Sequence, residues 1–458
     1  MKKIDIVGAG LAGSLLAIYL AKQNYDVHVY EKRSDMRESV PERGRSINLA
    51  ISRRGVYALE KLGIADQIMA KSTPMYGRMI HDMYGNSAKQ TYGRNQNEYI
   101  SAISRSELNI DLLNLMCQEK NVKIKFNHRI TDVNIESGQL TVFDAIQEKQ
   151  YVAPQADLVI ATDGAPSTVR QAMISKGVAS FSTDFLSHGY KELLLDAEFG
   201  KLFDKNCLHI WPRDDFMLIA LPNFDGSFTC TLFLGMKEKE NSFERLRNKE
   251  QIDQFFQKYF PNIKVAIPDL SQQFLSNPIG ELATLRGGPW YYKDKLLLLG
   301  DAAHAIVPFF GQGMNCAFED CTVFAELLDK NKNDWQQQFS DFFVLRKQNA
   351  DAIAQMAIDN FFEMGGYTGK KEFLLHKQVE MELMHRYGDR YISRYVMISF
   401  TRHAYKLAQI CGLLQKDFLD RICRSISCVQ DLDWEFVDKE LQVYLTALNR
   451  EKELYGFC

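Results

Sequence analysis

The sequence predicts an α/β protein with three parts: a GxGxxG-type Rossmann-like domain, an antiparallel-sheet domain interleaved with it, and a helical C-terminal region. Three observations carry this reading. An apolar strand at the start of the chain runs into Gly8-Ala-Gly10-Leu-Ala-Gly13 and then into an apolar helix. Two further apolar strands, 157–161 and 296–299, end beside an acid and a glycine, as Asp163-Gly164 and Gly300-Asp301. Strands without a polar face belong to a parallel sheet covered on both sides, and acids at their carboxyl ends face the ligand crevice of such a sheet. From about residue 188 to 290 the pattern changes to alternating strands and glycine-containing turns, which reads as antiparallel sheet.

Composition bounds the rest. A chain of 458 residues, 46% of them hydrophobic, exceeds one ordinary domain and can fill large cores. A net charge of −3 gives no electrostatic case for nucleic acid. The nine cysteines are scattered, odd in number and without a C-x-x-C pair, which fits reduced thiols in a cytoplasmic protein better than disulfides or zinc. Asp5 and the glycine motif interrupt the first apolar stretch, so it reads as a strand and not as a signal peptide. No 18-residue apolar run is present, so no membrane span is expected.

In chain order, strand 4–7 feeds the glycine loop. There Gly8 makes the turn, Gly10 lets a pyrophosphate approach, and Gly13 lets helix and strand pack. The helix runs to about Lys22 and strand 27–30 ends in Glu31, an acceptor for ribose hydroxyls. Arg33, just beyond, suits either an adenosine-side contact or solvent. A Gly-Arg loop then puts Arg45 toward phosphate or solvent, ahead of a helix with Val56, Leu59 and Leu62 at helical spacing. Residues 77–92 form a hairpin around Tyr84-Gly85-Asn86, and Arg78 in its first strand is open between a snorkelling surface residue and an anion clamp. Ser104 and Glu107 make a capping box with Arg105 at the helix mouth, and Ser167 caps the helix after Asp163-Gly164. Strand ends at 8, 163 and 301 suggest one sheet gripping one extended ligand. In the antiparallel region, Met217, Ile219 and Leu221 share a face, while His209 and Trp211 alternate with Leu208 and Ile210. One face packs on a core and the other roofs a pocket, and the pattern leaves open which. After strand 296–299, Gly311-Gln312-Gly313 turns into a helix from about Met314, whose N-terminus attracts an anion. The chain after Gln348 reads as helical, broken at Gly365-Gly366.

Taken together, GxGxxG with Glu31, DGAPSTVR and LLGDAAHAIVPFFGQGMN resemble the three fingerprints of the single-component FAD-dependent aromatic hydroxylases with the p-hydroxybenzoate hydroxylase fold. YGRMIH, QTYGRN, HGYKEL, DNFFEM and RYVMISF are similar to the branch of that family that acts on L-kynurenine, and the resemblance covers residue 4 to about 400. It implies an FAD-binding domain over 1–75, 95–180 and 290–345, a substrate-binding sheet domain over 76–94 and 181–289, and a helical region over 346–458. FAD would be tightly bound without a covalent link, touching Gly8, Gly10, Ala12, Gly13, Glu31, Arg33, Arg105, Asp301, Gly313, Met314 and Asn315. The substrate carboxylate would lie on Arg78 and Tyr92, with Asn360 and Tyr395 as further polar contacts. Its ring would lie against Leu208, Met217, Ile219, Leu221, Phe233, Pro308 and Phe310. NADPH would reduce the flavin as a transient co-substrate, since the chain has no second GxGxxG, and O2 would supply the oxygen. The protein would position reactants, with no nucleophile and no metal. The polar, charged tail implies no membrane anchor, and a homodimer is compatible with everything read so far. Two rivals remain: a hydroxylase of another aromatic such as a phenol or salicylate, and a non-catalytic binding protein on the same scaffold.

Overall fold

The computed structural model describes residues 1–38, 48–237, 239–330, 334–367 and 371–457, so Arg45 lies outside the described residues. The chain divides into two compact units, Met1–Ser72 with Ala102–Leu186 and Glu281–Ala354, and Thr73–Ser101 with Ser187–Gly280 and Gln355–Cys458.

The first unit is built on a six-stranded sheet. Its order is Tyr291–Tyr292, Leu296–Leu298, Leu158–Ala161, Lys3–Val7, Asp26–Tyr30, Val122–Lys125. All neighbours pair in parallel except the first two. The strands that lead into Gly8, Asp163 and Asp301 are therefore three consecutive strands, with Ile4 opposite Leu158 and Val159 opposite Leu296. Helix Leu11–Lys22 is buried from Gly13 to Ala21, which explains why its sequence is apolar all round. A three-stranded meander, His128–Asn134, Gln139–Asp144 and Lys149–Val152, and a short strand, Asn48–Ile51, also form.

In the second unit the strand order is Ser180–Leu195 (from residue 187 on), Phe228–Gly235, Phe216–Pro222, Cys207–Arg213, Gly77–His81, Ser87–Thr91. Pairing is antiparallel except where Cys207–Arg213 meets Gly77–His81 in parallel. One face, with Trp211, Phe216, Leu218, Ala220, Cys230 and Leu232, packs on Ile252, Phe255, Phe256, Phe260 and Ile263. Those residues sit on the helices Lys249–Tyr259 and Pro261–Ala266 and, for Phe260, on the junction between them; helix Leu270–Ser276 follows. The region 188–290 is thus not sheet throughout. The correction has a legible cause: Ile252, Phe255 and Phe256 keep helical spacing, and Asn248 caps the helix by accepting from the Gln251 N–H at 3.0 Å. Lys191 is buried because its ammonium donates to the carbonyls of Phe274 and Asn277 at 2.6 and 2.7 Å, at a helix C-terminus.

Helix Trp335–Phe362 begins earlier than the sequence reading placed the helical region. Its break is a π-helical turn, Glu363–Tyr367, in which a side chain at Gly365 would come within 2.7 Å of the Asp214 carbonyl. Helices Lys371–Tyr387, Arg394–Phe400, Tyr405–Ile422 and Trp434–Tyr455 follow. Among the described residues no helix is long and apolar enough to cross a membrane.

Candidate active site

The cofactor-side residues all belong to the first unit. Gly8 has φ +98°, and a Cβ there would lie 2.8 Å from the Thr162 carbonyl oxygen; one at Gly13 would lie 2.0 Å from the Gly8 carbonyl oxygen. At Gly10, by contrast, a Cβ would meet nothing within 4 Å among the described residues. The loop is closed against the sheet and open on the side where helix Leu11–Lys22 presents an N-terminus that no side chain caps. Glu31 holds this loop: it accepts from the Ala9 N–H at 2.8 Å and, on its other oxygen, from Arg33 N–H and Nε at 2.9 and 2.8 Å. Burial pushes the Glu31 carboxyl up, but Arg33 and the backbone donors more than reverse this, and its pKa lies below the ordinary glutamate value. Arg33 itself is largely exposed, as is Arg105 at the start of its helix.

Asp163 accepts from the Thr168 N–H at 2.8 Å through one oxygen. The other oxygen is buried without a hydrogen-bond partner among the described residues, and burial raises the carboxyl pKa. Asp301 is exposed at the first position of the short helix Asp301–His304, after Gly300 at φ +63°. Helix Gly313–Lys330 starts at Gly313, with Met314 half-buried beside it. The Asn315 side chain is spent inside the protein: it accepts from the Ser52 N–H and donates to the carbonyls of Ala50 and Gly311, each at 2.8 Å. Asn315 can therefore offer a ligand its backbone and not its amide group. An open cradle at Gly10, an orphaned acceptor at Asp163 and an uncapped helix start fit an extended ligand with phosphates and hydroxyls.

Beneath the Gly313–Lys330 helix runs a buried charge network. Asp320 accepts from His304 Nε2 and Arg346 Nε, both at 2.6 Å, and from the Gly300 N–H at 3.2 Å. Glu319 accepts from Arg346 at 2.7 Å and Arg54 at 2.6 Å. His304, Cys316 and Asp320 lie close enough to ligate a metal, but the Arg346 guanidinium already occupies both Asp320 and the Cys316 sulfur. A cation in that position disfavours a metal ion.

The substrate-side residues divide. Pro308 and Phe310 belong to the first unit, while the others lie in the second. There, Leu208 pairs with Arg78, Ile219 with Ile210 and Thr231, and Met217 with Phe233. Paired residues share a face, so Arg78, Leu208, Met217, Ile219, Leu221 and Phe233 all project from the face opposite the helix-packed core. Arg78 Nε donates to Gln90 Oε1 at 2.8 Å, and the guanidinium lies 6.0 Å from the Phe373 ring centroid. Tyr92 stacks on Tyr395 with centroids 5.0 Å apart, and burial raises both phenol pKa values, that of Tyr395 to about 12. Asn360 is buried and donates to Met364 Sδ at 3.2 Å. Glu363, on the π turn, accepts from Arg394 at 2.9 Å. Its burial is outweighed by Lys377, Arg394 and Arg78, which hold the carboxyl below its ordinary value. Gln90, Glu363 and Phe373 were not singled out from the sequence. Gln90 was within reach, since the turn at Tyr84-Gly85 already pairs it with Arg78, whereas Glu363 and Phe373 meet Arg78 only through tertiary folding.

A family model described as an FAD binding domain matches residues 2–338. A kynurenine 3-monooxygenase of Legionella pneumophila is 44% identical over 444 residues, covering 97% of this chain and 98% of that one. One of Myxococcus xanthus is 44% identical over 450 residues, covering 98% and 96%. The chain belongs to the kynurenine 3-monooxygenase family. It therefore carries an FAD-binding domain and falls among the flavin-dependent aromatic monooxygenases. Among solved structures, the tetrameric form of 2-methyl-3-hydroxypyridine-5-carboxylic acid oxygenase superposes with a TM-score of 0.66 at 19% identity, covering 82% of this chain and 96% of that one. At that identity the likeness speaks for the fold, an α/β flavin hydroxylase architecture with a helical C-terminal region.

Proposed function

We propose that the protein hydroxylates L-kynurenine to 3-hydroxy-L-kynurenine, with FAD bound and NADPH and O2 as co-substrates, as a cytoplasmic enzyme. The observation that carries this is a guanidinium set into an apolar sheet face, Arg78 beside Leu208 and the row of Met217, Ile219 and Leu221. An aromatic amino acid has both features this face answers: a flat apolar ring and a carboxylate. Arg78 forks onto the carboxylate, and Tyr92 and Tyr395, kept protonated by burial, donate from their hydroxyls. Glu363 is ionised and suits the substrate's ammonium group.

FAD, when bound and reduced by NADPH, would activate O2, one atom of which goes to the substrate ring and the other to water. The glycine loop and Glu31 would hold its pyrophosphate and ribose, Asp301 would accept from its ribityl hydroxyls, and the N–H groups at Met314 and Asn315 would favour negative charge on the bound ring. Leu208, Met217, Ile219, Leu221 and Phe233 exclude water, which otherwise diverts activated oxygen to hydrogen peroxide. The substrate's own amino group activates the ring, so no side chain attacks it.

The purified protein is expected to be yellow, absorbing near ~450 nm as flavoproteins do. NADPH oxidation should be stimulated and coupled to product by L-kynurenine, and not by phenol or salicylate. A colourless protein that FAD cannot reconstitute, or coupled turnover of simple phenols in place of kynurenine, would overturn the reading.

A further inference from the structure

Arg78 and Gln90 are cross-strand partners in the hairpin Gly77–His81/Ser87–Thr91. Gln90 Oε1 takes the Nε proton of Arg78 at 2.8 Å, from a partly buried position on an edge strand. That bond fixes the plane of the guanidinium through its inner nitrogen. No hydrogen bond from another described residue engages the two outer nitrogens, which are the pair that a carboxylate needs for parallel, bidentate bonding. The partner is an amide and not an acid. A carboxylate at position 90 would orient Arg78 equally well but would neutralise it.

We propose that Gln90 is a positioning residue for the acid end of the substrate, one that aligns the Arg78 fork without discharging it. An amide at this position, where an acid would discharge the fork, leaves Arg78 selective for an ionised carboxylate over its amide. Two further features agree. The Phe373 ring centroid lies 6.0 Å from the guanidinium, at the outer edge of cation–π range. Lys377 and Arg394, with Arg78, surround Glu363 with positive charge and hold it ionised. Lys377 is itself paired with Glu380 at 2.7 Å and Arg394 with Glu363 at 2.9 Å, so of these three cations Arg78 is the one bound to a neutral partner.

The inference rests on the reading of the substrate as an amino acid, and the experiment separates the two. Dissociation constants for L-kynurenine and for its carboxamide are measured by flavin absorbance perturbation with the holoenzyme, in wild type, Gln90→Glu and Gln90→Leu. Wild type should prefer the acid over the amide by roughly ten- to a hundredfold. Gln90→Leu, which frees the fork without discharging it, should weaken acid binding by roughly tenfold while still preferring the acid, with KM rising more than kcat falls. Gln90→Glu should lose the preference altogether, binding acid and amide about equally. A general structural defect would weaken both ligands alike and leave their ratio unchanged, and that result, or a wild-type ratio in Gln90→Glu, overturns the proposal. If wild type itself shows no preference, the carboxylate is not being read and the amino-acid substrate falls with it.

Discussion

A guanidinium on an apolar sheet face is costly unless its charge is used, because unpaired burial of a charge is far more expensive than burial of a methyl group. Arg78, half-buried, meets part of that cost with Gln90 and the Phe373 ring, and the proposed substrate carboxylate would meet the remainder. Arg78→Met keeps the length and removes the fork. Kynurenine affinity should fall about ten- to a hundredfold, the range of a charged hydrogen bond, with flavin content unchanged, as read by spectral titration. Unchanged affinity would remove Arg78 from the site. Asp5 is a second residue with an unmet cost. It is buried in the first strand with one oxygen lacking a hydrogen bond and Lys3 at 3.2 Å, and burial raises its pKa from 3.8 to about 6. An acid whose pKa is higher folded than unfolded holds its proton more tightly in the native state. Its contribution is present below the unfolded value and is lost as pH rises through the folded one. Between 3.8 and about 6 this lowers stability by at most about 3 kcal/mol. Asp5→Asn should therefore be more stable than wild type at about pH 7.5, with the gap closing toward about pH 4. Urea melts at both pH values check the sign; a variant less stable at about pH 7.5 would mean that the Lys3 ion pair outweighs the burial.

At the scale of elements, the strand–loop–helix units carried most of what could be read in advance. The helix after Gly13 packs so closely on the loop that the missing Cβ is a requirement and not a preference. Gly13→Ala places a methyl group 2.0 Å from the Gly8 carbonyl, which must move the backbone facing the pyrophosphate. FAD should be largely lost on purification, and the melting temperature should drop, since overpacking costs roughly 1–3 kcal/mol. Retention of full absorbance near ~450 nm would show that the loop can shift without consequence. The same reasoning explains where the sequence fell short. Glycine motifs act through local backbone geometry, so Gly8, Gly10 and Gly13 were legible without any partner. The helix Lys249–Tyr259 was overlooked although its spacing and its Asn248 cap were present, because the flanking strands dominated the reading of that region. Which face of the sheet met the core was not legible, since residues 216–222 are apolar on both faces, and only the helices packed on Trp211, Phe216 and Leu218 decide it. Glu363 and Arg394 lay far beyond sequence reasoning, for they meet across 31 residues and the intervening helix Lys371–Tyr387.

For the molecule as a whole, the C-terminal tail belongs to the same unit as Arg78, Tyr92, Tyr395 and the other proposed substrate contacts except Pro308 and Phe310. From the tail to the stacked Tyr395 and Tyr92, the path can be followed contact by contact. Helix Trp434–Tyr455 buries Val437, Leu441, Tyr444 and Leu448. The Tyr444 ring stacks on Phe418 at 5.8 Å, and its hydroxyl lies 3.3 Å from Gln415 Nε2. Gln415, on helix Tyr405–Ile422, also donates to the Ile392 carbonyl at 2.6 Å and accepts from the Arg394 N–H at 3.0 Å, which fixes the start of the helix that carries Tyr395. Arg394 in turn holds Glu363, and Tyr395 stacks on Tyr92. Removing residues 434–458 takes away the Tyr444 ring and leaves Phe418, Gln415 and the wholly buried Tyr391 without their cover. Losing one buried aromatic alone costs roughly 3–5 kcal/mol. The truncated chain should consequently bind kynurenine at least tenfold more weakly, or not at all, while FAD affinity, which depends on the other unit, changes by less than about threefold. Both constants come from one preparation, by flavin fluorescence for the cofactor and by absorbance perturbation for the substrate. Equal losses of both would show that the tail supports the whole molecule, and no loss of either would show that the Tyr444–Gln415–Arg394 chain does not hold the site.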